Sequence, residues 1–435
     1  MITTKYWYNF PVSWYLDVSG KREKSGNIFT FRQKGEGIML YRKLGKNGPD
    51  VPVLGFGCMR LPILNATGYA TDIFDSTKPI DDEQATRMVE NAISQGINYF
   101  DTAYGYHGGQ SETFLGKVLK GRRERVMLAS KLPVWLVKNP EDFDRLLDEQ
   151  LGRLDTSYLD FYLLHALGRK TWECMQELGI LGMLDKARAD GRIQRVGFSF
   201  HDDVNTFREI VDAYEWDICQ IQYNYFDRDF QAGREGLRYA AARGIGVIVM
   251  EPLRGGKLTE RIPEEVQTLW DQAPVRRTPA EWALRWVWND PEVSMALSGM
   301  SNMSQLRENL RIAADAKPES LSREELDVVD QVTEVYRSKL KVPCTSCAYC
   351  LPCPHGVNIP MNFSLYNDTF MFKDADLSIM LYNHFIPADS RASGCTACGA
   401  CEERCPQHIR IVEELKKVHA HLVRDEPSGS AGKEG

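Results

Sequence analysis

The chain has 435 residues, room for two or three domains at roughly 100–200 residues each. Hydrophobic residues make up 43% and charged residues 26%, ordinary globular usage that excludes a largely disordered or collagen-like chain. With 53 basic against 60 acidic residues the net charge is −7, so nucleic acid is not an expected partner. The longest apolar runs, such as 244–250, fall far short of the roughly 20 residues of a membrane helix, so no membrane partner is expected either.

Residues 1–38 read as an extension, expected to be disordered or not natively translated. The opening MITTKYWYNFPVSWYLDVSG lacks the basic start, smooth apolar run and cleavage site of a signal peptide. Residues 34–37, Lys-Gly-Glu-Gly, are what a purine-rich ribosome-binding site would encode, and Met39 opens the first patterned segment. From there MLYRKLGKNGPDVPVLGFG reads as a hairpin turned at Asn47-Gly48, followed by a buried strand. GINYFD, RVMLASK, LDFYLLH, IQRVGFS, DICQIQ, GIGVIVME and SMALSG follow as further strands. Helical patterns lie at 81–95, 111–120, 140–154, 172–190, 203–214, 233–243, 279–288 and 304–314. Continuous apolar strands alternating with helices predict a parallel sheet covered on both faces. Eight such units over this length predict an α/β fold of the (β/α)8 TIM barrel kind. No GxGxxG follows the first strand, which weakens the dinucleotide-binding open-sheet alternative.

The plan that follows is a barrel over 39–318, a helical connector over 319–341, a small, mainly helical ferredoxin-like domain over 342–425, and a flexible tail over 426–435. The tail end of this plan rests on cysteines. Of 11, eight fall in two tight runs, CTSCAYCLPCP and CTACGACEERCP. The second, Cys395-x2-Cys398-x2-Cys401-x3-Cys405-Pro406, has bacterial ferredoxin spacing. The first, Cys344-x2-Cys347-x2-Cys350-x2-Cys353-Pro354, is one residue short of it. By the ferredoxin rule, one 4Fe-4S cluster takes Cys344, Cys347, Cys350 and Cys405, and the other takes Cys395, Cys398, Cys401 and Cys353. The alternatives are a single cluster, or two zinc sites, which more often use separate CxxC pairs. Cys58, Cys174 and Cys219 stand singly and read as small core residues.

In a barrel of this kind the chemistry sits at the C-terminal ends of the strands. Those ends carry Asp101, Lys131, His165, Ser199, Gln220 and Glu251, with Tyr106 five residues beyond Asp101. Taken singly, Asp101 reads as a helix cap, Lys131 as an edge residue and His165 as a core histidine. Together they have a chemical logic. The Lys131 ammonium would lower the pKa of the Tyr106 hydroxyl, and Asp101 would hold that ammonium in place. His165 could orient a carbonyl oxygen, to which Tyr106 donates a proton as hydride arrives at carbon.

At these residues the chain resembles a known family. FDTAYGYHGGQSE, ASKLP, YLLHAL, VGFSFHDD, QIQYN, EPLRGGKL and SGMSNMSQLREN are similar, in order, to the signatures of the aldo/keto reductases, here in a form fused to a C-terminal 4Fe-4S dicluster domain. The resemblance implies an oxidoreductase with Tyr106 as proton donor and Asp101, Lys131 and His165 completing a tetrad. It implies nicotinamide contacts from Ser199 and Gln220, and pyrophosphate contacts from the backbone around Leu253, Gly255 and Gly256. The adenosine end falls along Gly299, Ser301, Gln305, Glu308 and Asn309. The cofactors implied are NADP(H) or NAD(H) and two 4Fe-4S clusters. Two departures stand out. Met250 occupies the place where relatives often stack an aromatic ring on nicotinamide. The basic residues that often hold a 2′-phosphate are missing from 299–305, where Arg307 is the nearest cation.

The function implied is NAD(P)H-dependent reduction of a small-molecule carbonyl substrate, aldehyde or ketone to alcohol, with accessory clusters. The alternative is electron transfer from the clusters into a one-electron reduction at the barrel mouth. A barrel that is idle beside an electron-carrying module is the third reading, and the intact tetrad argues against it. Reduced thiols and clusters imply a cytoplasmic setting, with a redox partner protein left open.

Overall fold

The computed structural model describes residues 28–31 (as backbone), 39–66, 78–260, 262–344, 350–372, 375–405 and 407–423. The expectations for 1–38 and 426–435 therefore fall almost wholly outside the described residues. Four residues of the extension form strand β1 (Ile28–Phe31), antiparallel to β2 (Met39–Lys43), which pairs in turn with β3 (Asp50–Pro52) around the Asn47-Gly48 turn.

Eight parallel strands then close a barrel. In chain order they are β4 (Leu54–Gly57), β5 (Tyr99–Asp101), β6 (Met127–Leu132), β7 (Leu159–Leu167), β8 (Ile193–Phe200), β9 (Ile218–Gln222), β10 (Gly246–Met250) and β11 (Val293–Ser298). Each lies beside its sequence neighbours, and β11 closes on β4 through Ala296 opposite Leu54. The helices between them are α1 (Asp82–Ser94), α2 (Gln110–Val118), α3 (Glu141–Arg153), α4 (Arg169–Glu177), α5 (Ile180–Ala189), α6 (Val204–Asp212), α7 (Gly233–Ala242), α8 (Glu264–Gln272), α9 (Pro279–Asn289) and α10 (Met303–Ala313). Three details depart from the sequence reading, the first being that Cys174, read as a core residue beside Cys58 and Cys219, is exposed on α4. The long helix over 172–190 is broken into α4 and α5 at Gly179, whose φ of +72° leaves the right-handed helix. Helix α8 was not foreseen, because its apolar face is only Val266, Leu269 and Trp270, although Pro263 before Glu264-Glu265 is start-of-helix chemistry.

The period of two along each strand builds two cores. Tyr99, Ala129, Phe161, Leu163, Ile218, Ile248 and Met295 point inward and fill the barrel, with Leu44 and Val51 of the hairpin packed against them. The alternate residues, such as Phe100, Leu128, Tyr162 and Cys219, point outward to the helices. The hairpin is fixed at the strand starts: Lys46 N–H donates to Gly244 O at 2.8 Å, and Arg42 donates to the carbonyls of Val293 and Trp288, each at 2.7 Å.

Beyond the barrel, α11 (Arg323–Ser338) starts at Ser322 with a capping box closed by Glu325. It packs Val329, Val332 and Tyr336 into the outer core. The C-terminal region carries α12 (Ile359–Met371), α13 (Ala375–Met380) running into a π-turn at Leu381–Phe385, α14 (Ala400–Glu403) and α15 (Ile411–Leu422). It has a second core of Phe363, Leu365, Tyr382, Leu415 and Val418, against which the cysteine sulfurs pack. No described helix is long and apolar enough to cross a membrane.

Candidate active site and metal centre

The inward parity that fills the barrel also sets its mouth. One step beyond Tyr99, Ala129, Leu163 and Ile218 stand Asp101, Lys131, His165 and Gln220. Lys131 is 2% exposed, and its Nζ spends all three hydrogens: on Asp101 Oδ1 at 2.5 Å, on the Thr102 carbonyl at 2.9 Å and on Tyr106 Oη at 3.3 Å. Asp101 Oδ2 accepts from Gln220 Nε2 at 2.6 Å, so both carboxylate oxygens are held. Burial opposes the charge on Lys131, yet Asp101 and Tyr106 together raise its pKa above the ordinary value, so it stands as an ammonium.

Tyr106 is delivered by a short turn after β5 in which His107, Gly108 and Gly109 all take positive φ, at 52°, 62° and 91°. A histidine in that region needs an anchor. Leu61 N–H donates to His107 Nε2 at 3.2 Å, and burial pushes His107 down to about 4, which keeps the ring a neutral acceptor. The expected lowering of the Tyr106 pKa needs correction. The Lys131 charge does pull it down, but the protein packed round the hydroxyl pushes harder, and the net direction is upward. Tyr106 is therefore a protonated phenol with an ammonium beside it, in a residue that is only partly buried.

His165 lies edge-on to Tyr106, ring centroids 6.0 Å apart, and 5.1 Å from the half-exposed Trp135. Burial, then Lys131, hold it well below its ordinary pKa, so it is neutral, and its Nδ1 is buried with no hydrogen-bond partner. Ser199 Oγ accepts from Ala166 N–H at 2.7 Å, leaving its own hydrogen to donate. Glu112 is fully buried and ties three elements together. It accepts from Ser130 Oγ and Gln150 Nε2, both at 2.6 Å, and from Arg153 at 3.3 Å.

Beside the mouth runs a cleft of about 650 Å3, within the range of small-molecule sites. Leu61, which anchors the Tyr106 turn, lines it. So do Leu253, Gly255, Gly256, Gly299, Ser301, Gln305, Glu308 and Asn309, every residue that sequence reasoning gave to the pyrophosphate and adenosine. Ser199 and Gln220 are not among them; they sit inside the mouth. Several lining groups are braced: Glu308 accepts from Thr278 Oγ1 at 2.6 Å, Asn309 donates to Ser298 Oγ at 2.9 Å, and Gln305 accepts from Ser301 N–H at 2.8 Å. Arg60 is the one cation among the described lining residues. It lies against Gly299 and Gly255, where a Cβ would come within 2.9 and 2.8 Å of its side chain. Arg307 lines a different groove, with Asn91 and Gln95. A long cleft walled by glycine-bearing loops fits an extended dinucleotide.

In the C-terminal region Cys353, Cys395, Cys398 and Cys401 line one small cavity floored by Val357, Ile359 and Leu415. One thiol of the first run thus joins three of the second. The sulfurs line a space without converging on a point, and among the described residues no three ligand-type groups do so. Four separate thiolates round a cavity suit the corners of a four-iron cube. Of the other set, Cys344, Cys350 and Cys405 pack against the same core, and Cys347 lies outside the described residues.

The Aldo/keto reductase family model matches residues 54–334, and the 4Fe-4S dicluster domain model matches 343–409. L-galactose dehydrogenase of Arabidopsis thaliana is 26% identical over 319 residues, 67% of this chain and 94% of that one. NADH-specific methylglyoxal reductase of Escherichia coli is 28% identical over 263 residues, 49% of this chain and 78% of that one. The holo form of aldo-keto reductase AKR11C1 from Bacillus halodurans superposes with a TM-score of 0.55 at 27% identity, covering 68% of this chain and 96% of that one. The chain belongs to the aldo/keto reductase family: it is an oxidoreductase whose (β/α)8 barrel is followed by a 4Fe-4S dicluster domain.

Proposed function

We propose that this oxidoreductase reduces a small aldehyde or ketone to the alcohol, with NADH as the preferred reductant and two 4Fe-4S clusters as accessory groups. The observation that carries the reading is the Lys131 ammonium shared among Asp101, the Thr102 carbonyl and Tyr106 at the barrel mouth. Nicotinamide, when bound, supplies hydride to the carbonyl carbon. Tyr106 gives its phenolic proton to the carbonyl oxygen, and the C=O double bond becomes the C–OH of the product. As the phenol loses that proton, negative charge grows on Oη, 3.3 Å from the ammonium. Lys131 therefore stabilises the transition state more than the resting site, the condition for raising the rate. Asp101 keeps Lys131 charged against burial, and Gln220 stops Asp101 from turning away. Neutral His165 orients the carbonyl oxygen, and Trp135 forms an apolar wall beside it.

Ser199 and Gln220 would hold the carboxamide of the nicotinamide. The backbone at Leu253, Gly255 and Gly256 would hold the pyrophosphate, and Gly299, Ser301, Gln305, Glu308 and Asn309 the adenosine. A 2′-phosphate carries nearly two negative charges and calls for a cation, whereas a ribose hydroxyl is satisfied by a carboxylate. The adenosine stretch offers Glu308, the described cleft cation Arg60 stands at the pyrophosphate loop, and Arg307 faces elsewhere. The Escherichia coli relative, an NADH-specific methylglyoxal reductase, pairs NADH with a carbonyl compound.

The barrel is assigned to 39–318, the connector to 319–341 and the cluster domain to 342–425. One cluster falls to Cys353, Cys395, Cys398 and Cys401, and the other to Cys344, Cys347, Cys350 and Cys405. Clusters pass single electrons, and a redox partner in a reducing cytoplasm would exchange them.

Replacing Tyr106 by Phe is expected to slow carbonyl reduction by roughly 100- to 10,000-fold while NADH binds as before, since general acid catalysis contributes on that order. Steady-state kinetics with a fluorescence titration checks it, and unchanged turnover would overturn the acid role. In the same titration NADH should bind at least about tenfold tighter than NADPH, about 1.4 kcal/mol. Equal or reversed affinities would remove the preference. Anaerobic reconstitution should give about eight irons per chain, falling to about four in Cys398→Ser. Zinc in place of iron, or about four irons in the wild type, would overturn the two-cluster assignment.

A further inference from the structure

The loop that carries Gly255 and Gly256 into the cleft is gripped from the cluster domain. Arg254 Nη1 donates to Asp368 Oδ1 at 2.7 Å, and Lys257 Nζ donates to Asp368 Oδ2 at 2.5 Å. Asp368 lies on α12, more than a hundred residues along the chain, and is 4% exposed. Each of its oxygens takes one cation of the loop. On the barrel side Arg254 Nε donates to Asp227 Oδ2 at 2.9 Å, and Asp227 also accepts from Gln222, the last residue of β9, and from Asn224 just after it. The guanidinium packs against a pair of touching rings, 5.1 Å from the centroid of Phe226 on the barrel and 5.0 Å from that of Phe372 just after α12. Met371 and Phe372 belong to the barrel's outer core, so the end of α12 is docked by apolar packing as well as by charge.

The grip falls on strained backbone. Glu251, Arg254, Gly255 and Gly256 take φ of 56°, 50°, 66° and 93°. For the two side-chain-bearing residues this left-handed region is unfavourable and persists only where the surroundings enforce it. Asp227 reaches only Arg254, whereas Asp368 is the carboxylate that both cations share. Glu251, Gly255 and Gly256 all line the cleft, so the loop's shape is the cleft's shape.

We propose that Asp368 is a positioning residue for nucleotide binding: α12 of the cluster domain holds the 251–258 loop in the form that receives the pyrophosphate, so the barrel's nucleotide affinity depends on the docked cluster domain. This rests on the nucleotide reading of the cleft and gives the attached domain a role that needs no electron to pass between the two halves.

The test uses the full-length, iron-loaded protein and two variants, Asp368→Asn, which removes the charge, and Phe372→Leu, which removes the covering ring and frees no charge. NADH affinity, hydrogen–deuterium exchange over 251–258 and iron content are measured for each. The expected result is a rise in Kd of about tenfold for Asp368→Asn, since a small misplacement of a binding loop has effects of that order or more. A several-fold rise is expected for Phe372→Leu, with faster exchange over 251–258 in both and iron at the wild-type level. Unchanged affinity and unchanged exchange in Phe372→Leu with full iron would overturn the proposal, even should Asp368→Asn fail to load iron. A wild type that binds neither NADH nor NADPH would sink the nucleotide reading by itself. In that case faster exchange over 251–258 in the variants still supports the grip, and unchanged exchange still overturns it.

Discussion

One nitrogen atom organises the mouth of this barrel. Lys131 Nζ has three hydrogens, and a carboxylate, a backbone carbonyl and a phenol take one each. An isolated ammonium would not stay charged at 2% exposure, and an isolated carboxylate would pay a similar desolvation cost. Paired, with Gln220 closing the second oxygen of Asp101, they form a neutral unit whose one adjustable contact is the phenol. Removing either partner of such a buried pair costs about 3–5 kcal/mol, because a lone buried charge remains. The fold accepts that vulnerability at the one place where charge develops during the reaction.

The site is rigid because its supports reach outward as well as inward. On β6, Lys131 points into the barrel while Ser130 points out, where Glu112 gathers it together with Gln150 and Arg153. The backbone that aims Lys131 is thus fixed by α2 and α3. The Tyr106 turn is fixed separately, through His107 and the Leu61 N–H of the β4–α1 loop. Three βα segments therefore share the positioning of one phenol and one ammonium.

Much of this was legible in the residue pattern, for a physical reason. Strand alternation is a period of two, so a polar residue toward the end of an apolar strand, as Asp101, Lys131 and His165 are, can only face the barrel mouth or the helix layer. The residues of EPLRGGKL and SGMSNMSQLREN assigned to the nucleotide fell on the cleft because loop position follows strand order. What stayed hidden depends on distances the chain does not encode locally. The sign of the Tyr106 shift is a balance between burial and a charge, and only packing sets it. The break at Gly179 and the short α8 lay below the resolution of helical periodicity. Asp368 was invisible: nothing around NFSLYND suggests a partner on a loop more than a hundred residues earlier.

The two halves of the chain meet at that loop, and the reductase reading stands or falls first on the phenol and the ammonium acting as one device. A double-mutant cycle on NADH-dependent carbonyl reduction, with Tyr106→Phe, Lys131→Met and the pair, measures this directly. If Lys131 works through Tyr106, the double variant is no slower than the slower single variant. Losses that multiply, so that the double variant falls by the product of the two, would show two independent contributions and contradict the mechanism.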